Sequence, residues 1–253
     1  MKIGVIGIGE MGGTLARRWS EKGHSVRVAN SRGPEAVKEF ADEIGADAAD
    51  IYGAVEGADV VLLSIPFPAV AKLPNDLFNR AAEGVVIIDT GNYYPDVRDP
   101  HVPEIDAGMP ESVWISQQLG RPIFKAFNSI LFHSLYELGK PEGSPDRLAI
   151  PVAGDDARAK QIVMGLVNEM GFDPVDGGSL EESWRQQPST PAYCCDYDAE
   201  KTREGIMAAV KGKAEKLRDN EWRANYFRLF ANKPAYADVH ADLIAMNRSL
   251  NPL

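Results

Sequence analysis

The sequence predicts an α/β protein with a doubly wound, mostly parallel β-sheet and a helical C-terminal extension. Short β-branched strand patterns alternate with amphipathic helical patterns through most of the chain. After Gly178 the β-branched runs disappear and helical patterns replace them. We therefore expect a sheet domain over residues 1–180, and a loop with a helical extension over residues 181–253.

The N-terminal elements alternate in type. The patterns predict a strand at residues 2–7, a helix at 11–22, a strand at 25–30 and a helix at 34–44. Pro34 suits the first turn of a helix, where the N–H that proline lacks would have no intrahelical acceptor. Residues 58–65 and 84–89 are continuous apolar runs, as expected of parallel strands that are buried on both faces.

The later elements have weaker patterns. They predict strands at residues 121–127, 147–153 and 172–175, and helices at 155–170, 199–221 and 223–247. Residues 186–198 are predicted to be a loop, and the last helix is expected to break around Pro234. Together with the N-terminal alternation, this order predicts a doubly wound α/β sheet.

Composition narrows the possible partners. The formal net charge of -10 argues against nucleic-acid binding, which needs clustered Lys and Arg. The best apolar run, residues 60–65, stops at Pro66, so no membrane span is expected. Cys194 and Cys195 are adjacent and lack metal-type spacing, so neither a disulfide nor a metal site is expected. No targeting segment is recognised, and a cytoplasmic location is expected.

A glycine-rich turn follows the first predicted strand and has the spacing G-x-G-x-x-G. Gly7 would permit a tight turn, Gly9 would let the backbone approach a pyrophosphate, and Gly12 would allow close helix–strand packing. The helix that follows would offer free N–H groups to the anion. The context is that of a Rossmann-type dinucleotide site, whose predicted binding residues are Gly7, Ile8, Gly9, Glu10, Met11 and Gly12.

The residues at the end of the second predicted strand distinguish NAD-binding from NADP-binding proteins. NAD-binding proteins carry an Asp or Glu there for the ribose 2′-hydroxyl, but this chain has Asn30, Ser31 and Arg32, with no carboxylate before Glu35. Ser31 can donate a hydrogen bond to a 2′-phosphate and Arg32 can pair with it as a fork. The sequence therefore predicts NADP(H) as the cofactor.

A second substrate is expected at the carboxyl ends of the strands. We expect the nicotinamide to pack against Ile8, Pro66 and Phe67, with Asn128 or a backbone group orienting it, although core packing explains Phe67 nearly as well. The predicted cofactor residues at these strand ends are Ser64, Ile65, Pro66, Phe67, Ala126 and Asn128.

Acid–base candidates are few, and no catalytic residue is assigned. Of the four histidines, His24 is expected to be structural, and only His133 follows a strand end closely enough to approach the site. Lys125 lies within a predicted strand. No Tyr-x-x-x-Lys or Ser-x-x-x-Lys pair stands at a suitable place, which favours hydride transfer between two rings, a reaction that needs positioning more than proton relay.

These residues resemble a known family, the coenzyme F420-dependent NADP oxidoreductases. The resemblance covers about the first 190 residues and rests on GIGEMG, Asn30–Arg32, Lys125–Ile130 (KAFNSI), 150–155 (IPVAGD) and 171–180 (GFDPVDGGSL). It implies hydride exchange between NADP(H) and a flavin-like ring beside Pro66 and Asn128, with coenzyme F420, FMN or FAD as co-substrate. The chain is also similar to the cytoplasmic reductase domain of six-transmembrane metalloreductases, but metal reduction is not expected without a membrane half.

Other functions remain open at this stage. The segment from Gln186 onward is longer than expected for the archaeal deazaflavin enzymes, and many bacterial relatives act where no deazaflavin is made. An NADPH-dependent reductase of a small imine, keto acid or hydroxy acid, including a pyrroline-carboxylate reductase, is one alternative. A non-catalytic NADP(H) sensor is another.

The C-terminal helices carry a dense group of large apolar side chains. Such a group would either cap the sheet or form the interface of a homodimer. Its members are Trp222, Tyr226, Phe227, Leu229 and Phe230.

Overall fold

The computed structural model describes residues 1–231 and 236–253. The chain divides into two compact units. The first contains Met1–Gly91 and Ile115–Phe124, and the second contains Asn92–Trp114 and Lys125–Leu253. The domain boundary predicted after residue 180 stays a prediction.

The first unit is built on a six-stranded sheet in the order β3-β2-β1-β4-β5-β6. The strands are β1 (Lys2–Ile6), β2 (Ser25–Ala29), β3 (Asp47–Ala48), β4 (Val60–Leu63), β5 (Val86–Asp89) and β6 (Phe124–Lys125). β1 pairs in parallel with β2 on one side and with β4 on the other. The order therefore reverses at β1, where doubly wound sheets open a ligand crevice. This architecture confirms the predicted α/β class.

The helices of the first unit follow its strands. They are α1 (Glu10–Glu21), α2 (Lys38–Ile44) and α3 (Ile51–Val55), with 3-10 turns at Pro34–Val37, Phe67–Lys72 and Leu77–Arg80. Every residue of β4 and β5 is buried, which explains their uninterrupted apolar sequences. α3 packs closely on β1. A Cβ at Gly4 would lie only 2.0 Å from the carbonyl oxygen of Ala54, so only glycine allows this approach.

The second unit is mostly helical. Its strands β7 (Ala149–Val152) and β8 (Asp173–Asp176) form a separate parallel pair, so they do not extend the six-stranded sheet. α5 (Glu111–Leu119) contributes residues to both units. The other helices are α4 (Pro103–Asp106), α6 (Phe132–Glu137), α7 (Ala157–Glu169), α8 (Ala199–Ala208), α9 (Lys213–Leu217), α10 (Arg223–Phe230) and α11 (Tyr236–Leu250), with a 3-10 turn at Ser183–Gln186 and a π-helical turn at Arg218–Trp222.

One predicted helix is wrong in its extent. The continuous helix expected over residues 199–221 ends at Ala208, and α9 begins only at Lys213. Gly212 precedes α9 with φ of 80°, a left-handed conformation that interrupts a right-handed helix and favours glycine. The break expected around Pro234 lies outside the described residues. None of the helices in the described ranges is long and apolar enough to cross a membrane.

Candidate functional site

Two glycines of the turn after β1 are required by packing. Gly7 has φ of 99°, and a Cβ there would lie 2.2 Å from the carbonyl oxygen of Ser64. A Cβ at Gly12 would lie 2.0 Å from the carbonyl oxygen of Gly7. Any larger residue at either position would force the turn, α1 and the end of β4 apart. These glycines perform the predicted turn and packing roles.

Gly9 differs from the other two because the fold does not require a glycine there. Its backbone is extended (φ -67°, ψ -170°), a conformation open to any residue. Apart from Gly9 itself and its two chain neighbours, no described residue has an atom within 4 Å of the position that its Cβ would take. The space beside Gly9 is therefore a cradle that a side chain would fill.

The cradle adjoins the N-terminus of α1. Gly9 is the N-cap residue, and no side chain caps the helix there. The first N–H groups of a helix have no intrahelical acceptor and carry partial positive charge. Gly9 itself is exposed, so an anion can reach these groups from solvent. The arrangement fits a pyrophosphate, with Ile8, Glu10 and Met11 beside it.

The end of β2 presents an ordered cationic turn. The side-chain oxygen of Asn30 accepts from the backbone N–H of Arg32 at 2.8 Å, which fixes the turn. Ser31 and Arg32 are exposed. Among the described residues, none forms an ion pair or hydrogen bond with the Arg32 guanidinium, so it is available to an anionic ligand. Glu35 lies in the following 3-10 turn.

The end of β4 supplies the remaining predicted residues of the first unit. Ser64 and Ile65 are half-buried and Pro66 is exposed, so a ligand can contact all three. Phe67 is 1% exposed, and core packing accounts for its burial. The first unit therefore brings its predicted cofactor residues together at the carboxyl ends of β1, β2 and β4.

Ala126 and Asn128 belong to the second unit, where Asn128 forms the centre of a buried polar cluster. Its amide nitrogen donates to the Asn92 side-chain oxygen at 3.1 Å and to the Gln186 carbonyl at 2.8 Å. Its amide oxygen accepts from the Gln186 side chain at 2.9 Å. Phe127, between the two predicted residues, is buried with φ of 61°, a strained conformation for an aromatic residue.

The sequence did not predict that these residues form one hydrogen-bonded cluster. Asn92 was recognisable as a residue at a strand end, but nothing in the pattern paired it with Asn128. No sequence pattern indicated that Gln186 contacts Asn128, because it lies 58 residues away in a segment that was predicted to be a loop. Both N–H groups of the Asn128 amide donate within this cluster. The side chain therefore holds the backbone segments around it in place.

His133 lies in a histidine pair. Its ring centroid is 4.4 Å from that of His240. Ser134 donates to Asp196 at 2.6 Å, and Nε2 of His240 lies 2.8 Å from the Ser134 hydroxyl oxygen. Burial lowers the pKa of His240 and raises the pKa of Asp196. Ser134 is fully buried, so the group is a structural hydrogen-bond chain and its serine is closed to substrates.

The two cysteines are buried and unbridged. Burial raises the pKa of both thiols, to about 12 for Cys195 and well above the ordinary value for Cys194. Only the thiolate is a strong nucleophile, so neither thiol is activated for attack. Lys125, the other chemically notable residue of this region, is also fully buried.

The large apolar residues of the C-terminal helices are unequally covered. Trp222 is 6% exposed and belongs to a core cluster of the second unit, while Phe227 is 54% exposed. Tyr226, Leu229 and Phe230 pack partly on that core. The homodimer suggested by this group stays a prediction.

Comparison with known proteins gives matches for both sequence and structure. The sequence profile of a family described as "NADP oxidoreductase coenzyme F420-dependent" matches residues 2–93. The protein YjhV of Escherichia coli (strain K12) is 48% identical over 113 residues, which cover 44% of this chain and 77% of that protein.

Two solved structures share the fold. The hypothetical protein SMa0349 from Sinorhizobium meliloti is 26% identical, with a TM-score of 0.61, over 74% of this chain and 89% of that one. A structure described as an F420-dependent NADP reductase from Arthrobacter sp. FB24 is 21% identical, with a TM-score of 0.57, over 73% of this chain and 87% of that one. At this identity the second likeness shows the fold alone.

Proposed function

The chain belongs to the family of coenzyme F420-dependent NADP oxidoreductases, and from that premise we propose that it transfers a hydride between NADPH and a flavin or deazaflavin acceptor. The family is one of NAD(P)-dependent oxidoreductases. The proposal concerns the finer points: the choice of NADP(H), the residues that bind it and the chemical class of the acceptor.

The observation that carries the proposal is the open space at Gly9. Gly7 and Gly12 would be needed in any protein with this turn, because their Cβ positions are occupied by backbone atoms. Gly9 has neither a strained backbone nor a neighbour that excludes a Cβ. A close backbone approach by a ligand at the N-terminus of α1 gives a physical reason for a glycine at this position.

The residues around this cradle would contact different parts of the cofactor. Residues 9–12 offer helix N-terminal N–H groups to a pyrophosphate. Ile8, Ile65 and Pro66 provide apolar surface for a flat ring at the strand ends. When bound, NADPH supplies a hydride to the acceptor. The protein's part is to hold the nucleotide, exclude water and fix the distance between the two rings.

Selection of NADP(H) over NAD(H) is assigned to the end of β2. The Asn30 side chain shapes the turn, and the exposed guanidinium of Arg32 can donate two parallel hydrogen bonds to a phosphate. Ser31 adds a hydroxyl donor. An acidic residue here would repel the 2′-phosphate, and Glu35 is the first carboxylate after the strand.

In the second unit, the buried hydrogen-bond cluster around Asn128 restrains the backbone of residues 126–128. The Asn128 amide is engaged with Asn92 and Gln186, so its role is to hold the backbone of this segment. The strained φ of Phe127 is held in place by this network and by burial.

The decisive experiment measures NADPH oxidation by the purified chain with coenzyme F420, FMN and FAD in parallel. We expect turnover with at least one of the three and a lower rate with NADH. An imine and a keto acid are included as substrates of the alternative reductases. Turnover confined to those two would overturn the proposed acceptor. Tight NADPH binding without turnover on any compound would instead indicate a sensor.

A further inference from the structure

The second unit contains a cavity of about 280 Å³. Its wall includes the aromatic residues Tyr94, Tyr193, Trp222 and Tyr226, together with Leu243. The space is half open to solvent, so a ligand can enter it without unfolding the unit. It lies near the lower limit of small-molecule sites, roughly 300 Å³, and therefore fits one ring with a small substituent.

The shape of the wall selects flat ligands. The rings of Tyr94, Trp222 and Tyr226 form a continuous stack, with both successive centroid distances 4.8 Å and both interplanar angles 22°. The indole Nε1 donates to the Asn247 side-chain oxygen at 3.2 Å, which fixes the tryptophan in the middle of the stack. Since the ring faces are covered by one another, by Arg98 and by Phe230, a planar ligand would meet ring edges, an edge-to-face geometry that aromatic pairs favour.

Local backbone structure gives independent support. Trp222 ends the π-helical turn Arg218–Trp222, which lies between α9 and α10. π-helical turns are rare and occur frequently at functional sites. In this chain the turn places the indole ring of Trp222 in the cavity wall.

Arg98 gives the cavity its charge preference. It is the charged residue among the described residues that line the space. Its Nε and Nη2 donate to the two oxygens of the buried Asp99 carboxylate, both at 2.8 Å. In the described part of the chain, Nη1 makes no hydrogen bond, and the side chain is 47% exposed. An anion can therefore accept from Nη1 without breaking the Asp99 pair.

From this combination we propose that the cavity binds a monocyclic aromatic carboxylate. The ring would lie against the aromatic wall and Leu243, and the carboxylate would accept from Nη1 of Arg98. The fused rings and ribityl chain of a flavin exceed a space of this size. The inference concerns the second unit alone and stands whether or not the proposed hydride acceptor is correct.

The test is calorimetric titration of the full, cofactor-free chain with benzoate, benzamide and cyclohexanecarboxylate. Benzoate is expected to bind with a Kd of about 1 mM or tighter, a reasonable affinity for so small a ligand. Benzamide lacks the charge and cyclohexanecarboxylate lacks the planar ring, so each is expected to bind at least about tenfold more weakly. Equal affinity for benzoate and benzamide, or no binding of benzoate, would overturn the proposal.

Variants then locate the site. Leu243→Trp fills the cavity and is expected to abolish benzoate binding, with Leu243→Phe as a smaller change if the first variant fails to fold. Arg98→Gln is expected to bring the benzoate and benzamide affinities together. Arg228→Gln, an exposed arginine of α10, is the matched control and should change neither. Undiminished benzoate binding in a folded Leu243 variant would contradict the assignment.

Discussion

Asn92 and Asn128 exchange hydrogen bonds in both directions. The amide nitrogen of Asn92 donates to the backbone carbonyl of Asn128 at 3.0 Å, and the amide nitrogen of Asn128 donates to the side-chain oxygen of Asn92 at 3.1 Å. Asn92 follows β5 and Asn128 follows β6, so the pair joins the segments that leave two strand ends. Gln186 closes the network from a third segment.

Removing the Asn128 amide should destabilise the protein. Asn128→Ala removes the hydrogen bonds to Asn92 and Gln186, while Ser129 still donates to the Gln186 carbonyl, so we expect a cost of about 1–2 kcal/mol. The free energy of unfolding from urea denaturation checks this value. Asn79→Ala, at an exposed asparagine of the first unit, is the control and should stay within about 0.5 kcal/mol of wild type.

Gly9→Ala should impair cofactor binding without affecting stability. Its Cβ would enter open space beside the helix N-terminus, where we place the pyrophosphate. We expect an unchanged melting temperature and a Kd for NADPH at least about tenfold higher, which corresponds to 1.4 kcal/mol. Calorimetry and thermal denaturation on one preparation measure both quantities.

Two other glycines serve as matched controls for that substitution. Gly165→Ala lies on the exposed side of α7 with no described atom within 4 Å of its Cβ, so stability should rise by about 0.5–1 kcal/mol with NADPH affinity unchanged. Gly12→Ala should lower stability, because its Cβ meets a backbone oxygen. Unchanged NADPH affinity in folded Gly9→Ala would remove the main support for the proposed site.

Local sequence pattern was sufficient to predict much of the fold, while the nucleotide site stays a prediction. β4 and β5 are buried on both faces, so their sequences are uninterrupted apolar runs that are readable from sequence alone. β3 has only two residues, Asp47–Ala48, and no apolar run, so it was missed. Gln186 was also missed, because its hydrogen bonds join residues far apart in sequence.

Arg32→Ala should distinguish the two nicotinamide cofactors. A charge-assisted hydrogen bond to a phosphate contributes about 1.5–3 kcal/mol, so NADPH binding should weaken roughly tenfold or more while NADH binding stays the same. Dissociation constants for both nucleotides, measured on the same preparations, provide the comparison. Arg121→Ala, an exposed arginine of the first unit, should affect neither. Equal losses for NADPH and NADH would exclude the 2′-phosphate role.

His101 should make stability depend on pH near neutrality. Hydrogen bonds to Asp106 (2.8 Å) and Asp96 (3.2 Å) raise the pKa of this histidine in the folded state. Its stabilising contribution is therefore fully present below the unfolded pKa of about 6.5 and is lost as pH rises through the higher folded value. Asp96→Asn should lower the pKa of His101, as measured by an NMR titration of the ring protons.

The matching stability measurement compares wild type with His101→Gln in urea. The difference between their unfolding midpoints should be larger at about pH 6 than at about pH 9, because only the protonated imidazole gains from the two carboxylates. High salt should reduce this difference, since the group is exposed. A difference that is independent of pH would show that His101 acts through packing alone.

Removing the buried charge of Arg147 should destabilise the second unit. It is 3% exposed, and its guanidinium donates to the carbonyls of Lys140, Asn168 and Gly171, to the Asn168 side chain and to the Asp173 carboxylate. Arg147→Met removes these donors. The carbonyls of Gly171 and Asn168 keep their backbone donors, the N–H groups of Lys140 and Gly171, so the free energy of unfolding should fall by about 2–3 kcal/mol.

Arg147→Lys separates charge from geometry. Lysine keeps the positive charge but lacks the planar set of donors that reaches several acceptors at once. We therefore expect it to recover less than half of the stability lost in Arg147→Met, as judged by urea denaturation. Arg203→Met, at an exposed site on α8, should be nearly neutral. Full recovery by lysine would mean that the buried charge, and not the hydrogen-bond geometry, stabilises this region.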